Sequence, residues 1–334
     1  MYDAQKLKIS VALCTYNGGR FIEAQMNSIL KQSRPPDEVI VCDDGSTDNT
    51  VDIVRSIAVK HPGKVWVYKN QINLGCVKNF GQAIQLATGD IIFLSDQDDV
   101  WFYDKIKSMS APFIEDHRIG LVYSDAVITD KSLKPTGETL FGRRKNLGIS
   151  SVRSACQLIK GVGINGCTMA FRSSLKDIIL PIYKGWGHDH WIVFIAHAVT
   201  GIRPVGKSLI FYRRHGNNCG IDPTLEDEWL TRWKNVLQSS GTPVYTGDRQ
   251  RWEAMCRRLG EIADQLDTEM VNQIRLREFL VECRRRLEFA LHRERLKKAR
   301  RIKRWGPLLW SLFKGDYHRH LRGVKSFLKD VLIK

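Results

Sequence analysis

The chain has 334 residues, 43% of them hydrophobic, enough for one large domain or two smaller ones with a sizeable core. Its formal charge of +16 is uneven: residues 282 to 334 hold 17 Lys or Arg against 5 Asp or Glu, a net +12, while the remainder is nearly balanced. No run reaches the ~18 consecutive apolar residues of a membrane span, the opening MYDAQKLKIS lacks the apolar segment of a secretory signal, and the eight scattered cysteines show no zinc-ligand spacing or dense disulfide framework. A transmembrane protein and a disulfide-stapled secreted scaffold are thereby excluded; a cytoplasmic globular protein with reduced thiols is expected.

Apolar strands and amphipathic helices alternate from the start. ISVALCT reads as the first strand, followed by a helix with Ile22, Met26, Ile29 and Leu30 on one face. EVIVC is the second strand, a helix carrying Val51, Val54 and Ala58 follows, and KVWVY is the third. A helix with Val77, Phe80, Ile84 and Ala87, strand DIIFL, a helix from about residue 102 and strand GLVYS continue the repeated βα pattern, which specifies an α/β fold with a doubly wound, mostly parallel sheet flanked by helices. Long charged helical stretches such as RLREFLVECRRRLEFALHRERLKKARRIKRW then take over, which divides the chain into residues 1–224 and a basic helical C-terminal region, 225–334.

Two acidic clusters end two of the apolar runs: Asp43-Asp44 after EVIVC, and Asp96-Gln97-Asp98-Asp99 after DIIFLS. In an open α/β sheet, side chains just past the carboxyl ends of strands line the ligand crevice, so both clusters face one pocket. Crowded carboxylates repel one another unless a cation or ligand offsets the charge, and a divalent metal holding a diphosphate is the economical reason to gather them. Solvated turn acids are the plainer alternative. Gly161-Val162-Gly163-Ile164-Asn165-Gly166 matches the dinucleotide pattern G-x-G-x-x-G, but CTMAF after it reads as another strand where that fingerprint requires a helix.

The segments VALCTYNGGRFIEAQMNSIL, VCDDGSTDNT, NLGCVKNFGQAIQLATGDIIFLSDQDDVW, GHDHW and FYRRHGNN together resemble a family 2 glycosyltransferase over roughly residues 7 to 218. Within that family the chain is similar to bacterial rhamnosyltransferase-like enzymes of polysaccharide assembly. The resemblance implies the GT-A fold and inverting transfer from a nucleoside-diphosphate sugar. It also implies that Thr15, Tyr16, Asn17 and Asp44 hold the nucleoside, that His215 completes the metal shell, and that the region of Gly166 and Cys167 lies near the acceptor.

Such a transfer must stabilise a departing diphosphate and deprotonate an acceptor hydroxyl. For the first task, Asp98 is expected on the metal, Mg²⁺ or Mn²⁺, because hard oxygen ligands suit those ions, with Asp96 at the ribose or a metal-bound water. Arg213, Arg214 and Lys78 offer positive charge to the nucleotide, while Asp43 is free to brace its turn and Asp48 reads as a helix cap. For the second, Asp189 is the expected base and Trp191 an apolar wall for a sugar; His190 departs from the aromatic residue commoner there. A zinc site at His188, Asp189 and His190 is disfavoured, since close neighbours point apart in an extended chain. The basic tail, with Trp305, Leu308, Leu309, Trp310, Leu312 and Phe313, suits an anionic membrane surface, which places the protein peripherally on the inner face of the membrane. Nucleic acid is the competing partner, without a recognisable motif to support it. A sugar nucleotidyltransferase and a noncatalytic sugar- or lipid-binding protein are the competing functions.

Overall fold

The computed structural model describes residues 7–142, 164–183, 185–215, 242–265, 273–298 and 301–316. Contacts divide the chain into a sheet body and a helical body. The expected boundary at 224/225 lies outside the described residues.

In the sheet body the elements run β1 (Ile9–Thr15), α1 (Ile22–Leu30), β2 (Glu38–Asp43), α2 (Thr50–Lys60), β3 (Val65–Lys69), α3 (Cys76–Leu86), β4 (Ile91–Ser95), β5 (Val100–Trp101), α4 (Lys105–Glu115), β6 (Ile119–Thr129) and β7 (Pro135–Thr139). After a 3-10 turn at Gly166–Thr168 come β8 (Met169–Arg172), the short α5 (Lys176–Ile179), α6 (His188–Val199) and β9 (Gly201–Arg213). The sheet order is β3-β2-β1-β4-β8-β6-β9-β5, with β7 on β6. The pairs among β3, β2, β1 and β4 are parallel, as is β6 with β9; β8 runs antiparallel to both neighbours.

Every residue of β1, β2 and β4 is buried. That explains their unbroken apolar runs, because a strand covered by helices on both faces has no solvent side to alternate toward. β3, at the edge, exposes Trp66 and Tyr68. Helix α1 turns Ile22, Met26 and Ile29 into the core as its spacing predicted. The helix expected from about 102 begins at Lys105 instead, because Val100 and Trp101 form β5 against Phe211 and Ile210 of β9. Strand β8 follows the glycine-rich segment, which bears out the rejection of a dinucleotide fingerprint there.

Parallel register positions the site. Thr15 pairs with Asp43, and Leu13 with Ser95, so the carboxyl ends of β1, β2 and β4 release their loops at one edge of the sheet.

The helical body contains α7 (Thr242–Gln265), α8 (Gln273–Lys298) and α9 (Arg301–Phe313). Met255, Leu259 and Ile262 of α7 and Leu276, Phe279 and Cys283 of α8 are buried, and Arg293 reaches Asp248 while Arg249 reaches Glu294 across the pair. The charged stretch from 275 to 305 is thus divided between two helices. No described helix is long and apolar enough to cross a membrane.

Candidate active site

The loops at the sheet edge are stitched by side chains bonded to backbone. Gln97, which the sequence reading left without a role, accepts from Thr15 Oγ1 (2.6 Å) and Tyr16 N (2.8 Å), and its amide donates to Tyr16 O (3.0 Å). It therefore joins the end of β1 to the acidic loop after β4. Asn17, at φ 49°, donates its amide to Ser46 Oγ (2.8 Å), and its side-chain oxygen accepts from Thr47 N (2.9 Å), which ties the same loop to the turn after β2. Tyr16 leaves its ring exposed.

Asp43 accepts from Ser46 N (2.8 Å), Gly45 N (3.2 Å) and the Ser46 hydroxyl, so it braces the turn. Asp48 caps the start of α2 through Thr50 N (3.0 Å). Asp44 is buried and accepts from Asn70 Nδ2 (3.0 Å), Leu74 N (2.7 Å) and Gly75 N (2.9 Å). A carboxylate offers about four lone-pair sites, so one remains beyond this loop-fixing set. Lys78 stands exposed in the first turn of α3, whereas Asn79 is buried and bonded to Cys42 O (2.8 Å).

The structure brings Asp98 and His215, 117 residues apart in sequence, into direct contact: Asp98 Oδ2 lies 2.7 Å from His215 Nε2, with both side chains largely buried. Phe21 packs on the imidazole with ring centroids 4.8 Å apart. Arg213, expected at the diphosphate, is instead 5% exposed and its guanidinium donates to the carbonyls of Asp98 (2.6 Å) and Lys131 (2.7 Å). It is a strut beneath the acidic loop, because its position at the end of β9 turns it inward. Arg214 follows as β9 ends, its amide donating to Thr129 O (2.9 Å).

Next to Asp98 lies a buried polar cluster. Burial, then the charge of Asp98, pushes the Asp99 carboxyl up to about 7, while Arg213 N donates to its Oδ1 (3.1 Å). Lys105, wholly buried, donates to Cys167 O (2.6 Å), sits 3.9 Å over the Trp101 ring, and is brought down to about 7 by burial. Asp96, Asp99 and Cys167 form a group of three potential metal ligands among the described residues. Burial raises the Cys167 thiol well above its ordinary range, which keeps it protonated and a poor partner for Mg²⁺ or Mn²⁺. Asp98 and His215 place a carboxylate and an imidazole side by side, donors that suit a divalent ion better than a protonated thiol does.

Of the residues expected near the acceptor, three differ from expectation. Trp191 is 2% exposed and its indole donates to Ile179 O (2.7 Å), so it belongs to the core and forms no open wall; the whole run from Trp191 to Val199 is buried. Cys167 is fully buried. Gly166 makes room rather than contact, since a Cβ there would stand 2.4 Å from His188 Nε2. His188 stacks on Phe80 at 4.0 Å and lies 3.8 Å from Cys76 Sγ. Asp189 and His190 meet each other, because the segment begins a helix and is not the extended chain expected: Asp189 Oδ1 accepts from His190 N (2.7 Å) and lies 3.0 Å from its Nδ1. Burial would raise the Asp189 carboxyl, but the hydrogen bond from the His190 ring, then the neighbouring imidazole charges and the His190 amide, hold it at about 2.

A parallel half-sheet that releases acidic loops from its carboxyl edge, extended by a mixed half, is the architecture of GT-A-type glycosyltransferases. Staphylococcus aureus TarS 1-349, solved in complex with UDP-GlcNAc, has the same fold at a TM-score of 0.53 and 19% identity, over 97% of this chain and 92% of that one. The chain belongs to glycosyl transferase family 2, whose model matches residues 10–179, just over half its length. It is therefore a glycosyltransferase. Among curated relatives it is 27% identical over 241 residues to the Escherichia coli UDP-Glc:alpha-D-GlcNAc-diphosphoundecaprenol beta-1,3-glucosyltransferase WfaP, covering 71% of this chain and 88% of that protein. It is 37% identical over 100 residues to the Shigella flexneri dTDP-rhamnosyl transferase RfbG, but that match spans 29% of this chain and only 35% of that protein.

Proposed function

We propose that the protein is an inverting, metal-dependent glycosyltransferase that moves a sugar from a nucleoside-diphosphate donor to a glycan or lipid-linked acceptor in cell-surface polysaccharide synthesis. The contact between Asp98 and His215 carries the reading, since it joins the acidic loop after β4 to the end of β9 in a pair of donors able to hold a divalent ion, taken here as Mg²⁺ or Mn²⁺. A divalent ion held there supplies positive charge against the departing diphosphate.

The chain's own groups divide the remaining work. Thr15, Tyr16, Asn17 and Asp44 hold the nucleoside, Asp96 meets the ribose, and Lys78 adds charge near the phosphates. Asp189, in the first turn of α6, removes the acceptor proton. A single displacement inverts the anomeric carbon and needs no covalent sugar intermediate, so one proton acceptor suffices. The named relatives support dTDP-rhamnose and UDP-sugars as the donors to try first, and a lipid diphosphate as the acceptor.

Attachment to the inner face of the membrane belongs to the same reading. On α9, Leu308 and Ser311 are buried, while Leu309, Trp310 and Phe313 are exposed, with Lys314 Nζ 5.1 Å over the Trp310 ring. Exposed apolar side chains amid a net +12 segment match an anionic lipid surface.

The decisive experiment is a thermal-shift screen of UDP-, dTDP- and GDP-sugars with Mn²⁺, because a ligand bound to the native state raises the melting temperature by mass action. Stabilisation by at least one donor, lost with a chelator and in Asp98→Asn, is expected. No shift with any donor, or shifts indifferent to both treatments, sinks the metal-dependent reading.

A further inference from the structure

Resting on the reading of His215 as a metal ligand, we propose that Phe21 is a positioning residue for the ion: its ring sets the angle of the His215 imidazole and braces the strut beneath Asp98, so that both donors converge. The ring centroids of Phe21 and His215 lie 4.8 Å apart, with the planes inclined at 32°. The Arg213 guanidinium lies over the same ring, 4.6 Å from its centroid, while it donates to Asp98 O (2.6 Å). One aromatic side chain therefore touches His215 directly and reaches the loop of Asp98 through Arg213.

The two rings are held in different ways. Phe21 stands at the head of α1, where its amide donates to Gly18 O (2.9 Å), and Gly18 N donates in turn to Thr50 Oγ1 (2.8 Å) in the first turn of α2. Gly19 N donates to Asp48 Oδ2 (3.0 Å), and a Cβ at Gly18 would stand 2.1 Å from Gln97 Oε1, so the turn lies flush against the acidic loop. Immediately after it, Ile22 and Met26 are fully buried. The backbone that carries Phe21 is thus tied to α2, to the acidic loop and to the core. His215 lies two residues beyond the end of β9, where the strand no longer dictates the direction of a side chain.

An imidazole offers its lone pair in the plane of the ring, so the ring angle decides whether Nε2 and Asp98 Oδ2, 2.7 Å apart, face one ion. Groups that orient a ligating histidine matter for that reason, and their loss costs roughly 10- to 100-fold in metal affinity. Phe21 does this with a flat face. Stacking on an imidazole and attraction of a guanidinium both require an aromatic ring, which an aliphatic side chain of similar bulk does not supply.

The test uses the full chain and Mn²⁺ alone, with affinity read from the electron paramagnetic resonance of the free ion and ligation from the nitrogen modulation that a bound imidazole imposes on the Mn²⁺ spin echo. Phe21→Leu and Phe21→Met, which keep bulk without the flat face, are expected to bind Mn²⁺ at least about tenfold more weakly and to lose the nitrogen signature. Phe21→Tyr should stay within about threefold of the unaltered protein and retain it. Thermal unfolding without Mn²⁺ identifies which aliphatic variant is folded, and either one decides the matter. Aliphatic variants within about threefold of the unaltered affinity, or a loss in Phe21→Tyr as large as theirs, overturn the proposal and leave His215 as a ligand. Should His215→Ala bind Mn²⁺ as tightly as the unaltered protein, and the unaltered protein show no nitrogen signature, the metal role of His215 falls and the positioning role falls with it.

Discussion

The sheet body and the helical body pair their buried polar groups differently. In the first, Thr15, Asp43, Asp44, Asp98, Asp99, Lys105 and Arg213 are buried, and most are bonded to backbone groups that hold the loops at the sheet edge. In the second, the buried Arg286 and Arg293 pair with the side chains of Glu282 and Asp248, and on α9 the side chains of Leu309, Trp310 and Phe313 stand exposed. Buried polar groups fix a geometry because leaving any one unsatisfied is costly, whereas exposed apolar rings gain only when something covers them. On the proposed reading, chemistry belongs to the first body and attachment to the second.

The strongest way to break that contrast is at Asp98 and His215. Asp98→Asn or His215→Ala should cut nucleoside diphosphate release by about 10³-fold, as loss of a charge-stabilising group does elsewhere, while vesicle binding is unchanged. The reverse experiment is Trp310→Ser with Phe313→Ser. Fully burying each ring contributes roughly 1.5–3 kcal/mol, so co-sedimentation with anionic vesicles should weaken at least about tenfold, with donor turnover in detergent-free solution unaltered. Equal losses in both assays would erase the division of labour.

Within the sheet body, Gly166→Ala tests whether the close approach of His188 positions the α6 turn. Overpacking of this kind costs about 1–3 kcal/mol, so denaturant melts should shift by that amount and turnover should fall while UDP affinity holds. Arg213→Met strips donors from the carbonyls of Asp98 and Lys131, with an expected cost of about 1–3 kcal/mol and weaker Mn²⁺ binding. The smallest effect is on acid stability. The folded Asp189 carboxyl sits at about 2, below the ordinary ~3.9. Its contribution is therefore complete above about pH 4 and lost as pH falls toward 2. Partial exposure screens it to under about 1 kcal/mol; Asp189→Asn should flatten that portion of the acid-unfolding curve.

Much of the architecture was legible because it is local. The buried runs of β1, β2 and β4, the face of α1 and the acids at strand ends all follow from periodicity and βα alternation. What escaped depends on residues distant in sequence. The start of α4 was misplaced because β5 exists only through pairing with β9. Trp191 looked like a sugar platform because a helix buried on all sides carries no amphipathic stripe to mark its inward residues. Lys105 and Gln97 had no local pattern; their roles appear once Cys167 and Tyr16 are beside them. Asp98 and His215 were paired by family resemblance, which spacing could not have supplied.

Gly166 and His188 occupy one volume, the absence of a side chain in the first accommodating the ring of the second. Any redesign of this turn must therefore treat the two positions as a single unit of exchange. A library that varies either one separately will mostly sample misfitted helices, whereas coupled swaps that shrink the imidazole as the glycine grows keep the turn in place.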